Sequence, residues 1–168
     1  MGMTEAGFGY WVLAVEGWVE FIFGNGVDMM ISTERILEEP VFIVGAERSF
    51  STLLTLMLTH HPDISWCPEF DYAVSCVGDE GEFPNLREYR EQMSIDRVFQ
   101  DDGYRYEIDT GSDYVSNIQG FLLQQQERTG KPIRGATVHH HFERLLWIFP
   151  NAKFVHLLRD PRDVARSC

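Results

Sequence analysis

Two short stretches hold most of the side chains able to do chemistry. In PVFIVGAERSFSTLL, Pro40 to Leu54, Gly45 is followed by Arg48, Ser49, Ser51 and Thr52. In KFVHLLRDPRDVARS, Lys153 to Ser167, Arg159 and Ser167 stand eight positions apart. A strand that breaks at a glycine and resumes as a helix gathers unpaired backbone N–H groups and the positive end of the helix dipole at one place, which is a general anion site. Arginine adds a planar fork that matches phosphate oxygens. Read against the nucleotide-triphosphate loop GxxxxGK[ST], the stretch from Gly45 has Phe50 at the second glycine, Ser51 at the lysine and Thr52 at the hydroxyl. Without the lysine, and with no evident aspartate for Mg²⁺, a phosphotransferase of that type is disfavoured. On the residues alone, Ser and Thr here could equally do no more than cap a helix.

Proton acceptors are present as well. Glu69 lies on a polar stretch beside Asp71, and His139, His140 and His141 are consecutive. Consecutive helical positions point in different directions, so one metal ion could not take all three imidazoles, and no metal is expected.

The elements that must position these residues follow from periodicity. Val41 to Val44 is a short apolar run of the kind found in parallel strands covered on both faces, and Leu53 to Leu58 predicts a buried helix ending near His60-His61-Pro62. Phe154 to Leu158 predicts a second buried strand, with one more helix starting over Asp163 to Ser167. Tyr114, Val115, Ile118, Phe121 and Leu122 fit a helix, as do Phe142, Leu145, Leu146 and Phe149. Glu69 to Gly111 is polar and broken by Gly78, Gly81, Pro84 and Gly103, which predicts loops and short helices. Ahead of Pro40, the apolar positions Trp11, Val15, Trp18, Val19, Ile22 and Phe23 predict an amphipathic N-terminal helix and linker over residues 1–39. Strands alternating with helices give an α/β class with a parallel sheet.

Composition limits the partners. A net charge of −12 disfavours nucleic acid and anionic membranes as general partners. The charge is uneven: Pro68 to Asp113 has 13 acids and 4 bases, whereas Tyr114 to Cys168 has 4 acids and 8 bases, so the basic end is the one suited to an anion. Glu16 and Glu20 interrupt the apolar N-terminal stretch and no basic region precedes it, which speaks against a signal peptide or a transmembrane span. Three cysteines, Cys67, Cys76 and Cys168, fit neither a disulfide framework nor metal spacing and are expected as thiols in a reducing, cytoplasmic compartment.

Together the two stretches resemble the two signatures of sulfotransferases that use 3′-phosphoadenosine-5′-phosphosulfate (PAPS), commonly VGxPRSGTTLL and, later, a strand ending in RDPRD with a serine eight positions after its first arginine. The signatures occur in the family's order, and HHPDI and FPNAKFVHLLRDPRD also read as family text. The resemblance covers Pro40 to Glu69 and Arg134 to Cys168. It implies a three-layer α/β sandwich of the P-loop-like type over residues 40–168, with Arg48, Ser49, Phe50, Ser51 and Thr52 on the 5′-phosphosulfate and Arg159 and Ser167 on the 3′-phosphate. Arg48 would stabilise charge in transfer. A glutamate 21 positions after the loop arginine serves as base in relatives that resemble protein-tyrosine sulfotransferases, which selects Glu69, while others use a histidine, which keeps His139 to His141 open. The lysine of Lys-Thr-Pro in many relatives corresponds to Arg134 by an ungapped count and to Ala136 by matching letters, and of the two only Arg134 carries charge.

The sequence departs from the pattern in Phe50 for glycine and Glu47 for proline, the latter placing a carboxylate beside an anion cradle. That repulsion is on the order of 4 kcal/mol at 4 Å and an effective dielectric near 20, so Glu47 is expected to point outward or to pair. Ser167 is one residue from the end of the sequence, so the resemblance also implies a C-terminally truncated member. The expected activity is therefore sulfuryl transfer from PAPS to a hydroxyl or amine acceptor. The alternative is an inactive remnant that binds an anion or nucleotide or serves as an interaction module.

Overall fold

The computed structural model describes residues 10–16, 18–19, 39–49, 51–101, 106–160, 162 and 165. Six strands form one sheet: β1 Tyr10–Glu16, β2 Trp18–Val19, β3 Val41–Val44, β4 Ile64–Cys67, β5 Ile133–Val138 and β6 Lys153–Leu158. Their order is β2-β1-β6-β3-β5-β4, parallel throughout except for the antiparallel pair β1 and β2. The strands alternate with helices α1 Ser51–His60, α2 Leu86–Met93, α3 Arg97–Gln100, α4 Tyr114–Thr129 and α5 Leu145–Ile148. The α/β class with a central parallel sheet is as expected.

Each strand splits its side chains between two faces. Phe42, Val44, Cys67, Ala136 and Val138 face a large core with Phe70, Tyr72, Tyr89, Met93, Phe99, Ile118, Phe121 and Leu122. Tyr72, Tyr106 and Phe121 form part of its aromatic centre, the last two stacked with ring centres 5.1 Å apart. Ile43, Trp66 and Leu157 face the other way, where Leu54 and Leu58 of α1 cover them. Phe42 lies opposite Ala136 on one side and Phe154 on the other, so β3 is the central strand of the parallel set.

Helix α4 starts and stops where its chemistry dictates. Asp113 caps it by accepting the Ser116 N–H at 2.7 Å, which holds the Asp113 carboxyl below its usual range, and Gly130 ends it in a left-handed conformation with φ 67°. Between β4 and α4 the chain has a 3₁₀ turn at Asp71–Ala73 and the short helices α2 and α3, as the breakers predict.

Two expectations need correction, and two strands went unread. The predicted N-terminal helix is not formed over its described part: Tyr10–Glu16 is a strand, hydrogen-bonded in parallel to β6 with Tyr10 opposite Phe154, so this segment belongs to the sheet. YWVLAVE is apolar on both faces and rich in aromatic and β-branched residues, which suits a sheet position better than a one-sided helix. The helix read from Phe142 to Phe149 is divided into a 3₁₀ turn, Phe142–Arg144, and the single-turn α5. Strands β4 and β5 had no period signal, since ISWC and IRGATV mix polar, charged and small residues. Gly135 in β5 has a packing reason: a Cβ there would stand 2.2 Å from the Trp66 ring and 2.6 Å from the Val41 carbonyl oxygen. The indole occupies the space a side chain would need.

Candidate functional site

The carboxyl ends of β3, β5 and β6 meet at the turn from Gly45 to Ser49 that leads into α1. Gly45 has φ 154°, and a Cβ on it would lie 2.5 Å from the Leu157 carbonyl oxygen, so the backbone passes against the end of β6 where no side chain fits. Arg48 takes a left-handed conformation, φ 66°, at a cost of about 1 kcal/mol or more for a residue with a Cβ. Its carbonyl oxygen accepts a hydrogen bond of 2.6 Å from Nη1 of Arg159. The two signatures thus meet on one side of the sheet. The first turn of α1 contains no acid to offset the dipole at its amino end.

Around this turn, Ser49 and Ser51 are buried and Thr52 is exposed. Glu47 points outward, 65% exposed, and its carboxylate is 3.9 Å from His140 Nε2, so it does both things expected of it. Arg162 is held by Asp160, with Nε 3.0 Å from Oδ1 and Nη2 2.5 Å from Oδ2, and the guanidinium keeps the Asp160 carboxyl below its usual range. Phe50, Ser167 and most of the helix predicted over Asp163 to Ser167 lie outside the described residues.

His139 follows β5 directly and leans over the turn. Its Nδ1 is 3.1 Å from the Gly45 carbonyl oxygen and its Nε2 3.5 Å from Ser51 Oγ. A carbonyl can only accept, so Nδ1 carries the proton and, in the neutral ring, Nε2 presents its lone pair toward Ser51. Deeper down, Thr137 Oγ1 contacts Thr55 Oγ1 at 2.8 Å and accepts from Trp66 Nε1 at 3.1 Å, tying α1 to β4 and β5. Glu69 is exposed and lies at the same edge, since the next residue, Phe70, donates its N–H to the Thr137 carbonyl at 2.9 Å.

Arg134 is not at this site, which corrects its assignment. It is the second residue of β5, opposite Ser65, and therefore lies near the amino ends of the strands, four residue steps or about 13 Å of strand from Val138. There it lines a cavity of about 380 Å³ with Glu39, Gln119, Leu122 and Phe149. The ungapped count fails because strand and turn lengths between β5 and Pro150 need not match those of the relatives. His139, at the strand's other end, is the group that stands over the turn; the run of histidines was visible in the sequence, but which of them faces the loop depends on where β5 ends.

Among the described residues, no three or more His, Cys, Asp or Glu side chains are placed to hold a metal ion, and no helix is long and apolar enough to cross a membrane. Cys67 is buried, 3.1 Å from the Tyr106 hydroxyl, and burial pushes its thiol up to about 12; Cys76 is also unpaired by disulfide.

A strand, a glycine turn and a helix in a parallel sheet, joined at the turn by an arginine that directly follows the neighbouring strand β6, define a P-loop-like α/β architecture. Residues 40–168 match a family model described as the sulfotransferase family. The chain belongs to that family. No curated protein matches it at a significant level.

Proposed function

We propose that the chain transfers a sulfuryl group from PAPS to a hydroxyl or amine acceptor. The observation that carries this reading is the Arg159 to Arg48 hydrogen bond, which brings a second guanidinium to the rim of the α1 turn. The fit to a doubly phosphorylated adenosine nucleotide rests on the turn itself: a glycine that no larger residue could replace, a helix start with no acid in its first turn, and an arginine on each flank. Arg48, Ser49, Ser51 and Thr52 would hold the 5′ end, and Arg159 the 3′-phosphate; Phe50 and Ser167 complete the set that the family likeness implies.

When bound, the donor supplies a sulfuryl group already activated on a phosphate. What remains for the protein is to hold the leaving phosphate, neutralise its growing charge and take the acceptor's proton. Backbone N–H groups of the turn and the guanidinium of Arg48 do the first two. For the third, His139 has a fixed tautomer with Nε2 turned toward the loop, which makes it the better-placed base; Glu69, exposed at the same edge, is the second candidate.

The reading is tested by calorimetry with 3′-phosphoadenosine 5′-phosphate (PAP) and with AMP. PAP is expected to bind tighter, and Arg159→Ala to remove the preference, a loss of roughly tenfold to a hundredfold for one charged hydrogen-bonding partner. Equal affinity of the unmodified chain for the two nucleotides would defeat it.

A further inference from the structure

His139 can face the loop only if the backbone after β5 turns in one particular way, and the group that sets this turn is a carboxylate from elsewhere in the chain. Asp71 Oδ1 accepts the backbone N–H of His139 at 3.0 Å and that of His140 at 2.7 Å, and lies 3.3 Å from His140 Nδ1. Two amides that have left the sheet ladder thereby gain one common acceptor. His140 is in turn 3.9 Å from Glu47 on the anion turn, so the carboxylates of Asp71 and Glu47 flank its imidazole from two elements.

Asp71 is itself held from several sides. Its carbonyl accepts from Val74 and Ser75 at 3.0 Å each, and the preceding Phe70 N–H is bonded to Thr137. A buried guanidinium, Arg144, donates through Nη1 to the Val74 and Val77 carbonyls and pairs through Nη2 with Asp79. The segment carrying Asp71 is thus fastened at one end to Thr137 of β5 and at the other to Arg144, just before α5, and the carboxylate has little freedom to follow the histidines if they move. Position is imposed from Asp71 onto His139.

We propose that Asp71 is a positioning residue for the reaction: by accepting the two backbone N–H groups it fixes the His139 ring with Nδ1 on the Gly45 carbonyl and Nε2 toward the anion turn. This rests on the reading of His139 as the base. The role belongs to the location of the acceptor oxygen, not to its charge. An amide oxygen at the same place should suffice, and a carboxylate moved by one methylene should not.

The test compares Asp71→Ala, Asp71→Asn and Asp71→Glu with the parent chain. The first readout is the ¹⁵N shifts of the His139 ring, which report its tautomer. The second is PAP release from PAPS with 4-nitrophenol as the probe acceptor, and the third is PAP affinity. The parent is expected to show the Nδ1–H tautomer. Asp71→Ala and Asp71→Glu should give mixed tautomers and turnover lower by roughly tenfold to a hundredfold, by analogy with the loss when the partner that orients a metal-ligating histidine is removed, with PAP affinity changed less than about threefold. Asp71→Asn should restore tautomer and turnover. If Asp71→Ala does not fold, Asp71→Glu against Asp71→Asn decides. A folded Asp71→Ala or Asp71→Glu with the parent's tautomer and turnover overturns the proposal. The ring shifts need no activity, so a parent chain without PAP preference would count against sulfuryl transfer while the tautomer comparison still judged the positioning.

Discussion

The two faces of the sheet are built differently. On the α4 side, Phe42, Phe70, Tyr72, Tyr89, Phe121 and Ile148 pack into one continuous core in which each is at most 3% exposed. On the α1 side, the buried apolar cluster among the described residues is Ile43, Trp66 and Leu157, beneath a single described helix whose Leu53, Leu56 and Met57 are 57%, 51% and 61% exposed. Among the described residues, apolar burial is therefore concentrated on one face, while the candidate site starts from a helix on the other. The thin side also carries specific polar links: Thr55 to Thr137, Trp66 to Thr137, and, at its edge, Arg159 to Arg48. The turn proposed to accept the donor is set on the layer tied by these hydrogen bonds, beside the more heavily packed layer.

That contrast can be broken in order of expected effect. Phe121→Ala removes a fully buried ring from the centre of the thick side and is expected to cost about 3–5 kcal/mol in urea unfolding. A loss near 1 kcal/mol would mean that this core is not what carries the fold. Thr137→Val keeps shape but leaves the Trp66 N–H and the Thr55 hydroxyl buried without their partner, for about 1–3 kcal/mol. Near-neutral behaviour there would show that the polar links do not hold α1. Met57→Gln, on the exposed side of α1, should stay within about 0.5 kcal/mol. A larger loss would show that this face is covered in solution.

How much of this was legible in the sequence depended on whether an element announces itself by pattern. Val41 to Val44 and Phe154 to Leu158 are apolar runs, and both are strands; Tyr114 to Thr129 has a clear helical period with a capping aspartate and a terminal glycine. Strand β5 was hidden because its side chains are chosen by particular neighbours: Gly135 for the Trp66 ring, Thr137 for a hydroxyl link, and Arg134 for a cavity at the far edge. With β5 unread, nothing could say that Arg134 and His139 lie toward opposite ends of one strand. Asp71 was invisible for a related reason, since an acid on an acidic, broken segment has no local mark of the backbone amides it will meet 68 and 69 residues later.

The central position of β3 bears on how the chain matures. Its neighbours β5 and β6 are translated only roughly ninety and a hundred and ten residues after it, and the bond that closes the turn spans 111 residues. Until β6 emerges and docks, Gly45 has no Leu157 carbonyl to pass and Arg48 no Arg159 to hold it. The turn from Gly45 to Ser49 consequently takes its final shape only after β6 has been made, and a nascent chain interrupted before Lys153 would carry the first signature without the strand that closes it.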